Sequence, residues 1–409
     1  MEHFFRHDYG RLVAMLVRRV GAQHIELVED AVQSALMAAL SAWIGQDVPE
    51  DPAAWLHKVA YNALIQDLRR RSGRFQILEK AAADIYDCAS VPASSLFANE
   101  ICDDMLRMLF VCCDDGISWE SQMILALKTL CGFSTMEISH RLFTSEANVY
   151  KRLMRARDRL RRVPPGMETP ALEDLRARLS NVHGVLYLLF NEGYLSTHPE
   201  QAIRRELCDE ALRLGTLLAE HPAGAVPESF ALLALMHLQV ARFGSRVDEL
   251  GGLLLLEEQD RALWDRERIA LGLHWLQRSA GGLEFSRFHA EAGIAAEHCL
   301  APSFRETRWK EIADIYLLLD RVAPSPTHTL NRAVAVAEWQ GPQAGLALLE
   351  TVVPPAWLAR SHLWQAVLSD LHRRAGDSEI ALQYREQALV SAPTDAVRAL
   401  LQRRLRAPR

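Results

Sequence analysis

Positive charge is the most concentrated chemistry in this 409-residue chain, although the chain as a whole carries a net charge of −6. It gathers in two places: Arg69, Arg70, Arg71 and Arg74, and then Lys151, Arg152, Arg155, Arg157, Arg159, Arg161 and Arg162. Guanidinium and ammonium groups clustered on a helix bind phosphates, and the amide of a neighbouring Asn148 adds a group that reads base edges in the major groove. An overall acidic balance excludes a uniformly basic nucleic-acid coat but leaves room for local DNA-reading surfaces.

The second cluster sits where a helix-turn-helix would place it. Ser121 to Cys131 reads as an apolar helix ended by Gly132, and Ser134 with Glu137 forms a capping box for a short second helix. Leu142, Phe143 and Thr144 make the turn, and a longer helix runs from Glu146 to about Arg161, with Ser145 at its start. Val149, Leu153, Ala156 and Leu160 fall on one inward face, while Asn148, Lys151, Arg152 and Arg155 fall elsewhere. A solvated basic helix in a bundle would show the same charge run. The first cluster ends a helix that starts at Pro52 and carries Trp55, Leu56, Asn62 and Asp67. An apolar anchor, a polar middle and a basic end suit a helix lying along opened DNA. An amphipathic helix with a dipole-favoured basic end fits the same residues.

Together these residues resemble extracytoplasmic-function sigma factors of RNA polymerase. Glu29, Asp30, Ala31, Val32, Gln33, Trp43, Pro52, Trp55, Leu56, Asn62, Asp67 and Arg69 to Arg71 look like region two. Ser134, Glu137, Ile138, Ser145, Val149, Arg152, Leu153, Arg155, Ala156, Arg157 and Leu160 look like region four. Both sets occur in the family's order and span about the first two fifths of the chain. The resemblance implies that Asp30 and Gln33 contact core RNA polymerase and that Trp55, Asn62, Asp67, Arg69, Arg70 and Arg71 open and read the −10 element. It also implies that Ser145, Glu146, Asn148, Lys151, Arg152 and Arg155 read the −35 element of promoter DNA. Phe143 stands at a turn position often held by glycine and Tyr150 replaces a common lysine. The run from Asp103 to Cys113 resembles a subgroup with a long C-terminal helical extension, except that Asp114 and Asp115 stand where His-Pro is usual.

Apolar residues recur at helical spacing along almost the whole chain, which predicts an all-α protein. Ala81 to Asn99 reads as a linker, and Pro164, Pro165, Gly166 and Pro170 as a break. The expected domains are therefore a region-two bundle over 1–80, a linker over 81–100, a region-four helix-turn-helix over 101–163, and a helical, tetratricopeptide-like domain over 170–409. For the last, Leu371, Gly376, Ala381, Tyr384, Ala388 and Pro393 follow the small-and-large order of such a repeat, and Leu330, Ala333, Gly341, Ala344 and Leu348 an earlier one.

Seven scattered cysteines and dispersed histidines (His183, His237, His274, His289, His298) suggest neither a disulfide framework nor a metal site. Cys112 and Cys113 read as buried helix residues. No apolar run approaches a membrane span, and no signal-peptide pattern opens the chain, so a cytoplasmic protein is expected. No P-loop or GxSxG elbow is found, and no catalytic residue, metal or cofactor is expected. Two segments stay open to other readings: Asn191 to Tyr194, and Arg246 to Asp265 with Glu257, Glu258, Asp260, Arg261 and Trp264. Their carboxylates could form an active site or ligand pocket, or simply an intramolecular contact. The extension is expected to dock on the chain's own DNA-reading modules, on polymerase or on a separate protein regulator. The competing reading is a duplex-DNA-binding regulator with a ligand-sensing or enzymatic C-terminal domain.

Overall fold

The computed structural model describes residues 2–43, 48–72, 103–142, 144–162, 171–195, 203–248, 252–282 and 284–405. Among them it contains twenty α-helices and no strand, the all-α fold expected, with one isolated bridge between Val247 and Leu253. The expected linker, the proline break and Phe143 lie outside the described residues. The chain forms two compact units, Met1–Gly193 with Arg205–Ala225, and Tyr194–Arg204 with Val226–Arg409.

In the first unit, α1 (Glu2–Val20), α2 (Ile25–Trp43) and α3 (Pro52–Ser72) form an N-terminal bundle. Ile25, Val28, Val32, Ala35 and Ala39 recur at helical spacing and are buried, facing a core that includes Leu16, Leu56 and Leu64. After it come α4 (Asp104–Cys112), α5 (Trp119–Thr129), α6 (Thr135–Arg141) and α7 (Glu146–Arg161). Three further helices, α8 (Leu172–Ala177), α9 (Leu179–Tyr194) and α10 (Arg205–Glu220), group with them apart from the last residue of α9.

That grouping departs from the expected boundary at 170. A Cβ on Gly184 would collide with the Trp119 ring, so glycine lets α9 and α5 approach closely. Arg178 donates to the Phe110 carbonyl at 3.2 Å and to Asp114 at 3.3 Å. Arg213 on α10 reaches Asp103, the N-cap of α4, at 2.6 Å. The start of the C-terminal extension thus completes the N-terminal unit.

The second unit opens with α11 (Pro227–Val240), which is apolar on every side and buried. It continues through α12 (Arg266–Ser279), α13 (Arg287–Leu300) and α14 (Trp309–Val322). Paired helices follow: α15 (Pro326–Gln340) with α16 (Pro342–Glu350), then the short α17 (Ala356–Ala359), then α18 (His362–Ala375) with α19 (Ser378–Val390), and finally α20 (Asp395–Arg404). A glycine at positive φ turns each pair, Gly341 at 100° and Gly376 at 97°. Leu330, Leu349, Leu358, Trp364 and Leu371 form the core between them.

Buried imidazoles make this unit acid-sensitive. Burial, reinforced by Arg268, pushes His237 on α11 down to about 4. The unfolded chain takes up that proton near pH 6.5, so below that value the unfolded state binds more protons and stability falls, levelling off near pH 4. The expected loss is about 1.4 kcal/mol per pH unit across this window from this residue alone. Urea unfolding at a series of pH values would measure it, and a His237→Gln variant with an unchanged pH slope would refute the assignment.

Candidate nucleic-acid interface

The starts of α6 and α7 are set by local hydrogen bonds. Ser134 Oγ accepts from the Glu137 N–H at 3.1 Å, and the Glu137 carboxylate accepts from the Ser134 N–H at 2.7 Å, closing the expected capping box on α6. Ser145 Oγ accepts from the Asn148 N–H at 3.3 Å and caps α7. Thr135 Oγ1 donates to Glu146 at 3.0 Å, tying the starts of the two helices together.

Val149, Leu153, Ala156 and Leu160 are all buried, as their spacing predicts. Ser145, Glu146, Lys151 and Arg155 are exposed, while Asn148 and Arg152 are half-buried. Asn148 donates to Thr144 Oγ1 at 2.8 Å, and Arg152 pairs with Glu120 at 3.4 Å. Arg155 Nε donates to the Lys151 carbonyl at 3.4 Å, and among the described residues neither side chain pairs with a carboxylate. Lys151 and Arg155 are therefore cations presented to solvent from the middle of α7.

On α3, Leu56 is buried and Trp55 packs against Trp43 with ring centroids 5.5 Å apart. Asn62, Arg69 and Arg70 are exposed, Asp67 pairs with Arg70 at 3.4 Å, and the Arg71 side chain lies outside the described residues. On α2, Asp30 and Gln33 are exposed beside Met37, which is 69 % exposed despite its apolar side chain. The exposed α2 and α7 groups thus differ in character: an acidic and apolar strip on one helix, a basic one on the other.

Sequence reasoning assigned no role to the charged seam behind these surfaces. Glu29 is only 2 % exposed, accepts from Thr129 Oγ1 on α5 at 3.0 Å and pairs with Arg157 on α7. Burial pushes its carboxyl up, against the pull of the Arg157 guanidinium. Next to it Glu26 pairs with Arg161 at 3.1 Å. The signal was present, because Glu29 stands in the apolar stripe of α2, one residue from Val28 and three from Val32.

The second unit brings together part of the two segments left open by the sequence. The Arg246 guanidinium lies 3.6 Å from the Tyr194 ring centroid. Trp264 is buried, donates through Nε1 to Ser245 Oγ at 2.7 Å and is flanked by Arg261 and Arg242. The carboxylates of that loop are dispersed: Glu258 pairs with Arg403 at 3.1 Å, and Asp260 caps the Ala262 N–H at 2.9 Å. In the first unit Glu192, itself buried, faces Arg141 at 3.5 Å. Among the described residues no three His, Cys, Asp or Glu side chains are grouped to hold a metal, and no helix is long and apolar enough to cross a membrane.

Comparison with known proteins defines the class. Residues 5–74, which hold nearly all of α1 to α3, match Sigma-70 region 2, and residues 178–280 match a family of unknown function (DUF6596). The ECF RNA polymerase sigma factor SigG of Mycobacterium tuberculosis is 27% identical over 194 residues, 41% of this chain and 51% of that protein. The chain thus spans about half the length of that relative. No solved structure matches. The N-terminal bundle is a sigma-70 region 2 domain, which together with the likeness to SigG supports a sigma factor. It belongs to the family of an uncharacterized protein of Rhizobium meliloti that is 38% identical over 330 residues, 80% of this chain and 78% of that protein.

Proposed function

We propose that this sigma factor is of the extracytoplasmic-function type, binds core RNA polymerase in the cytoplasm and directs promoter recognition and transcription initiation. The observation that carries this reading is one chain holding both a sigma-70 region 2 bundle and two successive capped helices, α6 and α7, with Lys151 and Arg155 exposed on the second. Asp30, Gln33 and Met37 offer polymerase a mixed polar and apolar strip on α2. The end of α3, from Asn62 to Arg71, lies along the −10 element, where arginines neutralise phosphates of the opened strand. From α7, Lys151 and Arg155 meet phosphates and base edges of the −35 element, and Asn148 and Arg152 join once their present partners are exchanged for DNA. The factor itself makes and breaks no bond and needs no cofactor. The polymerase does the chemistry.

The second unit is a tetratricopeptide-like regulatory or interaction domain. Its helix pairs support this: a Cβ on Gly345 would lie 2.8 Å from the Ala333 carbonyl oxygen, and Ser369 Oγ donates to the Ala381 carbonyl at 2.9 Å. Small residues at such crossings let paired helices stack.

In vitro transcription with sigma-free bacterial core polymerase and a promoter library tests the reading. Initiation from a defined sequence set on adding the full-length chain is the expected result. Duplex-DNA binding with no initiation from any template would favour a regulator that acts without polymerase.

A further inference from the structure

Resting on the promoter-reading roles above, we propose that the first unit is a self-locked resting form: α7 is latched onto α2 through Glu29–Arg157 and Glu26–Arg161, and this latch opens before the factor can hold polymerase and span a promoter.

The first argument is distance. The −10 and −35 elements are about 25 base pairs apart, which is about 85 Å along B-form DNA at about 3.4 Å per base pair. A compact body the size of this unit, about 210 residues, has a radius of gyration near 17 Å and therefore a diameter of about 45 Å. Here α2 and α7 are in direct contact through two ion pairs, and a Cβ on Gly10 of α1 would collide with the Leu130 carbonyl just after α5. Two modules touching at backbone distance do not read both elements at once.

The second argument is the face that the latch occupies. At about 100° per residue, Gln33 lies about 20° and Asp30 about 40° around the axis of α2 from Glu26. Arg161 therefore holds the first turn of the strip on which Asp30, Gln33 and Met37 stand exposed. A helix is about 10 Å across with its side chains. A partner helix seating on that strip meets α7.

The third argument is the chemistry of the seam. Glu29 and Arg157 are charged groups held out of water, 2 % and 14 % exposed as side chains. Burying such a pair gives little net stability over an apolar contact. It does make separation tolerable, since the opened surfaces present a carboxylate and a guanidinium that water solvates rather than a bare apolar patch. The extension holds the same two modules from outside. On α10, Glu210 pairs with Arg11 of α1 at 3.7 Å and Arg213 with Asp103 at 2.6 Å, while Glu192 of α9 pairs with Arg141 of α6 at 3.5 Å.

The test uses the full-length chain with Arg161→Glu and, separately, Arg157→Ala. Small-angle X-ray scattering reads opening and titration into sigma-free core polymerase reads unmasking. Arg161→Glu removes an exposed pair, so core affinity should rise about twofold to fivefold; Arg157→Ala should exceed that, with an increased radius of gyration in both. Circular dichroism checks that Arg157→Ala remains folded, and Arg161→Glu, on the surface, keeps the test decisive if it does not. Adding Glu26→Arg to Arg161→Glu should restore the compact form. Unchanged scattering and unchanged core affinity in both variants would overturn the latch. Expansion with no core binding by any form would support the latch as a joint and overturn the polymerase reading instead.

Discussion

Replacing Lys151 and Arg155 together with alanine is expected to lower promoter affinity by about two orders of magnitude, at about 1–3 kcal/mol for each contact to a base and with a further loss wherever a phosphate contact goes. Both side chains are exposed on α7 and neither is held by a carboxylate among the described residues, so little is spent in freeing them. Their removal leaves Val149, Leu153, Ala156 and Leu160 in place. Thermal stability should therefore hold while binding falls. Fluorescence anisotropy across a salt series separates the contributions: the slope of log affinity against log salt should drop by about one for each lost phosphate contact. Arg152→Ala should cost less, because Glu120 already occupies that guanidinium. Full affinity in the double variant would remove α7 from the DNA interface.

Trp264→Ala is expected to destabilise the second unit by about 3–5 kcal/mol, the usual cost of emptying a large aromatic site. The ring is 3 % exposed, its indole N–H is bonded to Ser245, and Arg261 lies 4.5 Å from its centroid. Urea unfolding would report the loss. Trp264→Phe should recover most of it, giving up the hydrogen bond but keeping the packing. A loss below about 1 kcal/mol would mean that the tryptophan is not a packing centre, and the ligand-pocket reading of this loop would regain ground.

Helix type and helix ends were legible in the sequence because they rest on local rules. The capping box of Ser134 and Glu137, the start of α7 at Ser145 and the start of α3 at Pro52 depend on residues within one turn. The inward face of α7 followed from spacing in the same way. Contacts between distant segments were not legible. Nothing near Gly184 announces that the Trp119 ring lies against it, and Arg213 gives no sign that its partner is Asp103, 110 residues earlier. The boundary expected at 170 followed a proline signal that marks where a helix stops, not where a compact unit ends. Glu29 was left without a role for a related reason: the motif around it drew attention to its neighbours Asp30 and Gln33, while its own place in the apolar stripe of α2 pointed inward.

The described cysteines, Cys112, Cys113, Cys131, Cys208 and Cys299, are all buried. Burial raises Cys112 far above the usual thiol range and lifts Cys113 to about 12 and Cys299 to about 11. Since the thiolate is the reacting species, a group at about 12 is ionised at neutral pH to only about one part in a hundred thousand. Peroxide or a shift in glutathione balance thus finds almost no nucleophile in Cys112, Cys113 or Cys299 while the fold is intact, and any command the factor obeys through these three has to arrive as a mechanical opening rather than as an oxidant.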